Sequence, residues 1–178
     1  MTTEDAIKAA YMRLYATQRP DAITVKSLCA AVPVARTTFY AHFRNTDDVL
    51  VNVEDDLLAG IADVTRRISG GNLPAMDYPA FLDALFAYIL DNLAWFRALL
   101  IVHPDARFIT RWKAAIKHNF ALRYPDARLH PEWDLLAEMA ASAAIGAYTH
   151  ELSDPDRLNL SRIEILVDRA LAGVMTAL

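Results

Sequence analysis

Between positions 36 and 42 the chain reads Arg36-Thr37-Thr38-Phe39-Tyr40-Ala41-His42. A guanidinium, two hydroxyls, a phenol and an imidazole in one short stretch are suited to hydrogen bonding rather than to making bonds. Arginine can grip guanine bidentately, threonine offers a hydroxyl or its methyl group, and a tyrosine hydroxyl can meet a phosphate oxygen. Phe39 and Phe43 stand one helical turn apart, which leaves Arg36, Thr37 and Thr38 for the opposite face. Tyr40 should point about 100° away from Phe39, towards that exposed side.

These groups need elements to hold them. Thr24 can cap a short helix whose apolar positions Leu28 and Ala31 face one way, with Lys26 beside the cap. Pro33 interrupts that helix because it lacks an N–H and clashes with a preceding turn. A second short helix follows over residues 36–43. Two short helices with a tight break between them form a helix-turn-helix, whose second helix can enter a DNA groove. Before it, Ile7, Ala10, Tyr11, Leu14 and Tyr15 recur as one buried stripe of a first helix starting near Thr2 or Thr3. After it, Asn45 or Thr46 caps a long helix in which Leu50, Val53, Leu57, Ile61, Val64 and Ile68 repeat until Ser69-Gly70-Gly71-Asn72.

The rest also reads as helix. Residues 78–102 are nearly continuously apolar and are predicted to bend near Asn92. Helices follow over residues 105–124, 132–152 and 161–178, with His103-Pro104, residues 125–131 and Asp154-Pro155-Asp156 as breaks. No strand alternation, repeat or glycine-rich phosphate loop is present. The fold class is therefore all-α, with an N-terminal helix-turn-helix head over residues 1–46 and a helical body over residues 47–178.

Composition narrows the classes. The chain has 178 residues, 54% of them hydrophobic, enough for one well-packed domain or a small domain on a larger one. No run of 18 apolar residues and no signal-peptide layout is present, and the single Cys29 rules out an internal disulfide framework. A cytoplasmic location follows as the expectation, with Cys29 a small core residue. Net charge is −4, but residues 1–46 carry six basic and three acidic side chains, so +3, and the remainder 12 and 19, so −7. A basic head on an acidic body suits a phosphate-rich partner, since charge acts locally over roughly 10 Å. No Ser-His-Asp or Cys-His grouping is legible, the acids are dispersed, and His103, His118, His130 and His150 lack zinc-type spacing. No enzyme activity, cofactor or metal is expected.

The stretch Thr24-Val25-Lys26-Ser27-Leu28, then Ala35 to Phe43, then Asn45-Thr46-Asp47-Asp48-Val49-Leu50, resembles the N-terminal domain of the tetracycline-repressor (TetR) family over residues 3–50. The resemblance implies a homodimeric transcriptional regulator, usually a repressor, that leaves a palindromic operator when a small-molecule effector binds the C-terminal body. It implies that Thr24 caps the second helix and touches a phosphate, with Lys26 a further phosphate contact. Arg36, Thr37 and Thr38 would open the recognition helix in the major groove, and Tyr40 and His42 would reach the sugar-phosphate backbone. Three positions depart from the family pattern. Pro33 stands where the turn usually has glycine, Ala35 where the recognition helix usually has a Ser or Thr cap, and Thr46 where a phosphate-binding lysine usually opens the fourth helix. They motivate an alternative reading: a helical ligand-binding or interaction protein that keeps the fold but binds DNA weakly.

Two features of the body bear on its role. Tyr88, Trp95, Phe96, Phe108, Trp112, Phe120 and Tyr148 offer more aromatic surface than the helices need for packing. They read as a ligand pocket, with Arg111, His118 or Asn119 as polar anchors, or as plain core. Arg107, Arg111, Lys113, Lys117 and Arg123 against Asp105 give a local +4 that either attracts an anionic effector or simply faces solvent. Ala137, Ala140, Ala141, Ser142, Ala143, Ala144, Gly146 and Ala147 make one helix unusually small-sided, and Ile163, Leu166, Val167, Ala170, Leu171 and Val174 give the last a broad apolar face. Two such helices per subunit suit a four-helix dimer interface.

Overall fold

Each helix near the N-terminus starts where the sequence supplies, or fails to supply, a capping oxygen. The structure, a computed structural model, describes residues 2–154. Helix α1 (Thr3–Tyr15) opens on a reciprocal cap: Thr2 Oγ1 accepts from the Asp5 N–H at 3.1 Å and Asp5 accepts from the Thr2 N–H at 2.7 Å. Helix α2 (Val25–Ala31) repeats it with Thr24 and Ser27, at 3.1 and 3.0 Å. Helix α3 (Arg36–His42) begins at Ala35 with no side-chain cap. Asn45, rather than Thr46, caps the long helix α4 (Thr46–Ser69), accepting from the Asp48 N–H at 2.8 Å. Gly70, in the left-handed region at φ 56°, closes it.

The break between α2 and α3 is made without glycine. Val32 leaves the helix in extended conformation, and the Val34 N–H turns back to the Val32 carbonyl around Pro33. That is a three-residue turn, for which proline's fixed φ is suited. Among the described residues no non-glycine side chain needs a positive φ. The absent turn glycine therefore leaves no strained residue behind.

The head's core is small and aromatic. Ile7, Tyr11 and Tyr15 of α1 join Leu28, Phe39 and Phe43, and Val49 and Val53 of α4 complete the set. Burying side chains of this size contributes roughly 1.5–3 kcal/mol each. Leu28 alone is buried in α2; Ala31 is exposed, so the expected two-residue apolar face of that helix reduces to one anchor.

Helix α4 has α1 on one side and, further along, α5 (Tyr78–Asp91) on the other. The chain turns by 84° at Asn92 into α6 (Leu93–Arg97), which runs on as a wider turn over Ala98–Val102. Helix α7 (Ala106–Arg123) then pairs with α8 (Trp133–Ser153). The core is continuous from Ile7 to Leu152, so head and body share one apolar interior. Ala137, Ala140, Ala141 and Ala144 are buried within this chain, whereas Ala143 and Gly146 are exposed with Leu135 and Met139. The expected final helix over residues 161–178, including Ile163 to Val174, lies outside the described residues. No single described helix is long and apolar enough to cross a membrane.

Candidate nucleic-acid interface and ligand cavity

Helix α3 is pinned by one side and presented by the other. Phe39 is fully buried and its ring meets that of Phe43 at 5.9 Å, while Arg36, Thr37, Tyr40 and His42 are exposed, Tyr40 to 58%. Tyr40 stands edge-on to Phe39 with ring centroids 5.4 Å apart, which fixes the direction of its phenol. Thr24 and Lys26 are exposed on neighbouring α2. Thr38 is half-buried on the flank of α3, and Thr46 is half-buried at the first turn of α4.

Charge on this end of the molecule is decided by pairing. Lys8 is 5% exposed and lies between Glu4 and Asp56, at 2.6 and 2.8 Å, so it does not belong to the basic surface its sequence position suggests. Arg19 pairs with Asp21 at 3.0 Å. Arg44, just past α3, was not singled out by motif; its side chain is 87% exposed and bonds Asp48 at 2.9 Å. Asp48 also accepts from the Arg44 N–H at 2.8 Å, and both bonds hold its carboxyl below the usual range. Arg13, Lys26 and Arg36 make no ion pair among the described residues. Two of them, Lys26 and Arg36, flank the turn.

The head is tied to the body through α4 and α7. The Glu54 side chain has no exposure and receives Arg107 Nε at 2.9 and 3.1 Å and Arg111 Nη1 at 3.2 Å. Arg107 also reaches Asp47, in the first turn of α4, at 3.2 Å, and Arg111 reaches Asp55. The Glu54 bonds push the Arg107 guanidinium well above its ordinary range. On α1, the Tyr15 hydroxyl donates to the His103 carbonyl at 3.1 Å, and burial pushes that phenol up to about 12.

A narrow apolar cavity of about 50 Å³ lies between α4, α5, α7 and α8. Trp112, Phe120 and Tyr148 line it, as the aromatic excess suggests, with Trp112 stacked on Tyr148 at 5.1 Å and 18°. Burial pushes the Tyr148 hydroxyl well above its usual range. Other expected pocket residues lie elsewhere. Phe96 is sealed in the core between Phe108 and Trp112. Tyr88 sits on an outer groove, its hydroxyl donating to the Leu57 carbonyl at 3.2 Å. Trp95 is half-buried against the core, outside the cavity wall. Arg111 is taken by Glu54 and Asp55, and His118 is exposed beside an open groove between α4 and α7. The wall does include Asn119, the third expected anchor, and beside it Met76, Tyr78, Phe81 and Arg123. Of the last four, only Arg123 had a legible signal, as one of the cations of α7.

A three-helix head with an exposed second motif helix, joined by one long helix to a body with an apolar cavity, defines an all-α, TetR-like fold. No family model and no curated protein matches the sequence. Solved structures do match, and those named are transcriptional regulators. The fatty acid degradation regulator FadR from Bacillus halodurans is similar at 15% identity and TM-score 0.70, over 97% of this chain and 96% of that one. The dihydroxyacetone kinase operon activator DhaS is similar at 16% identity and TM-score 0.60, over 98% and 95%. At such identities the likeness establishes the fold.

Proposed function

We propose that this protein is a DNA-binding transcriptional regulator of the TetR type, acting in the cytoplasm as a homodimer on a palindromic operator and released by a small-molecule effector. The observation that carries this reading is the exposure of α3: Arg36, Thr37, Tyr40 and His42 are exposed on a helix anchored by a fully buried Phe39. A rigid helix with an unpaired arginine near its start is suited to major-groove readout, and Thr24 and Lys26 on α2 are placed to meet the flanking phosphates. Residues 1–46 then act as the DNA-binding part and residues 47–178 as the effector-binding and dimerising part.

Dimerisation supplies the geometry. The exposed Leu135, Met139, Ala143 and Gly146 run along one face of α8, and two such faces paired about a two-fold axis set two α3 helices apart. Successive major grooves require a separation of about 34–36 Å. An effector that shifts α4 changes that separation, because α4 starts directly after the recognition helix and lines the cavity through Ile61. Repression is the simplest output of such release; an activator uses the same parts.

A gel shift with DNA from upstream of the protein's own coding region, at low and moderate salt, tests the reading. Specific retardation that falls with salt supports it. Absence of specific retardation at either salt favours a second reading, a ligand-binding protein with weak DNA affinity, which the uncapped Ala35 and half-buried Thr38 would then explain.

A further inference from the structure

Among the described residues, pairing on α7 leaves one cation over. Arg107 and Arg111 bond Asp47, Glu54 and Asp55, while Lys113 and Lys117 both bond Glu138, at 3.0 and 2.7 Å. Arg123 makes no bond to a carboxylate among the described residues. Its Nη1 donates to the carbonyls of Leu73 and Met76, at 3.2 and 3.1 Å, its Nε reaches the Tyr124 hydroxyl at 3.1 Å, and its guanidinium lies over the rings of Tyr78 and Tyr124 at 5.0 and 5.5 Å. Among the described residues that line the apolar cavity it is also the one charged group, with no acid beside it.

Resting on the effector-controlled reading above, we infer that the cavity takes an apolar monocarboxylate, whose headgroup binds Arg123 and displaces the carbonyls that Arg123 holds. An apolar cavity with a single cation and no counter-charge favours a ligand with one anionic end and a hydrocarbon remainder. A neutral ligand leaves the guanidinium on two neutral carbonyls, and a cationic one meets repulsion. Carboxylates match the planar fork of arginine and form charge-assisted bonds about twice as strong as bonds to neutral acceptors.

The same contact explains how so small a cavity admits a ligand. Fifty cubic ångströms accommodates a few waters, whereas ligand pockets run to roughly 300–1,000 Å³. The wall that can yield is the segment over residues 70–77, which Arg123 latches by the Leu73 and Met76 carbonyls. It starts at two glycines, Gly70 and Gly71, both at positive φ with nothing within 4 Å of where a side chain would stand. A carboxylate that takes the Nη1 hydrogens frees this segment, widens the cavity and releases the C-terminal end of α4. Recognition of the ligand and movement of the helix that carries the head are then one event.

Binding is measured by Trp fluorescence and calorimetry on the full chain without DNA, using hexanoate, octanoate and 4-phenylbutyrate against octanamide and octylamine. The expected result is at least about tenfold tighter binding of octanoate than of octanamide, no binding of octylamine, and faster proteolytic cleavage within residues 70–77 when octanoate is present. Arg123→Gln, folded by circular dichroism, should bring octanoate and octanamide level; if that variant does not fold, the ranking of probes on the wild type decides alone. Equal binding of octanoate and octanamide, no binding of any carboxylate, or an unchanged preference in Arg123→Gln would overturn the inference. Octanoate binding that leaves operator retardation intact upholds the ligand class while counting against effector-driven release. Operator release by a neutral or cationic compound alone does the reverse.

Discussion

In the proposed reading Arg36 is the side chain on which DNA recognition most depends, since it is exposed, makes no ion pair among the described residues and stands at the first position of α3. Arg36→Ala should weaken binding to the specific operator by about 1–3 kcal/mol and relax discrimination at one base pair, measured by gel shift on operator variants. Lys26→Ala, by contrast, should weaken binding to all sequences alike and lower the salt slope by about one unit. A loss that is uniform for Arg36→Ala as well would assign both residues to phosphates. Glu138 offers a test that needs no DNA. Lys117 and Lys113 hold its carboxyl down to about 2, so the folded state favours the charged form. The stability this contributes is complete above the ordinary value of 4.5 and is lost as pH falls towards 2. Thermal melts of wild type and Glu138→Gln should therefore differ most above pH 4.5 and converge below it. A constant gap would remove the two lysines from the account.

Helix α4 does more than any other element, because it is the continuation of the head and one wall of the body. Its attachment to α7 rests on a buried carboxylate held by two guanidiniums, and removing one partner of such a group leaves charge without compensation. Arg107→Ala should cost about 3 kcal/mol, a fall of roughly 6–12 °C in Tm for a chain of this size, and Arg107→Lys should recover only part of it. Its attachment to α5 rests on a close approach. A side chain at Gly60 would collide with the ring of Tyr88, whose hydroxyl is fixed on the Leu57 carbonyl. Gly60→Ala gains roughly 1 kcal/mol of helix propensity but forces a packing shift that costs about 1–3 kcal/mol. It should lower Tm in the wild type and raise it in a Tyr88→Leu background. The same sign in both backgrounds would show that the ring moves aside freely.

For the molecule as a whole, the question is how a chain of net charge −4 approaches a polyanion. The acids nearest the head are largely spent on cations: Glu4 and Asp56 on Lys8, Asp48 on Arg44, and Asp47, Glu54 and Asp55 on α7. Such pairing reduces the negative charge left to oppose Lys26 and Arg36, since exposed charges act over a Debye length of roughly 10 Å. In the proposed dimer, two heads on one operator would double the phosphate contacts, so binding would depend on assembly. Met139→Lys, which places a charge on the exposed face of α8, should yield a monomer by analytical ultracentrifugation and lose specific retardation together with it. A monomer that keeps full operator affinity would detach dimerisation from DNA binding.

What the sequence by itself determined was local. Helix starts followed from Thr24 and, to within one residue, from Thr2 or Thr3 and Asn45 or Thr46; the long helix followed from a three-to-four residue apolar repeat, the bend at Asn92 from a break in an apolar run, and the exposure of α3, half-buried Thr38 apart, from the spacing of Phe39 and Phe43. Each depends on residues within a turn or two of one another. Tertiary structure decided what depends on partners far along the chain. The cations of α7 look alike in sequence, yet among the described residues acids 21–60 positions away neutralise four of them and leave Arg123. The aromatic residues of the body look alike too, and only packing separates Phe96 in the core from Trp112, Phe120 and Tyr148 on the cavity wall. A side chain's type limits the chemistry it can do, but its neighbours in space decide whether that chemistry is already used.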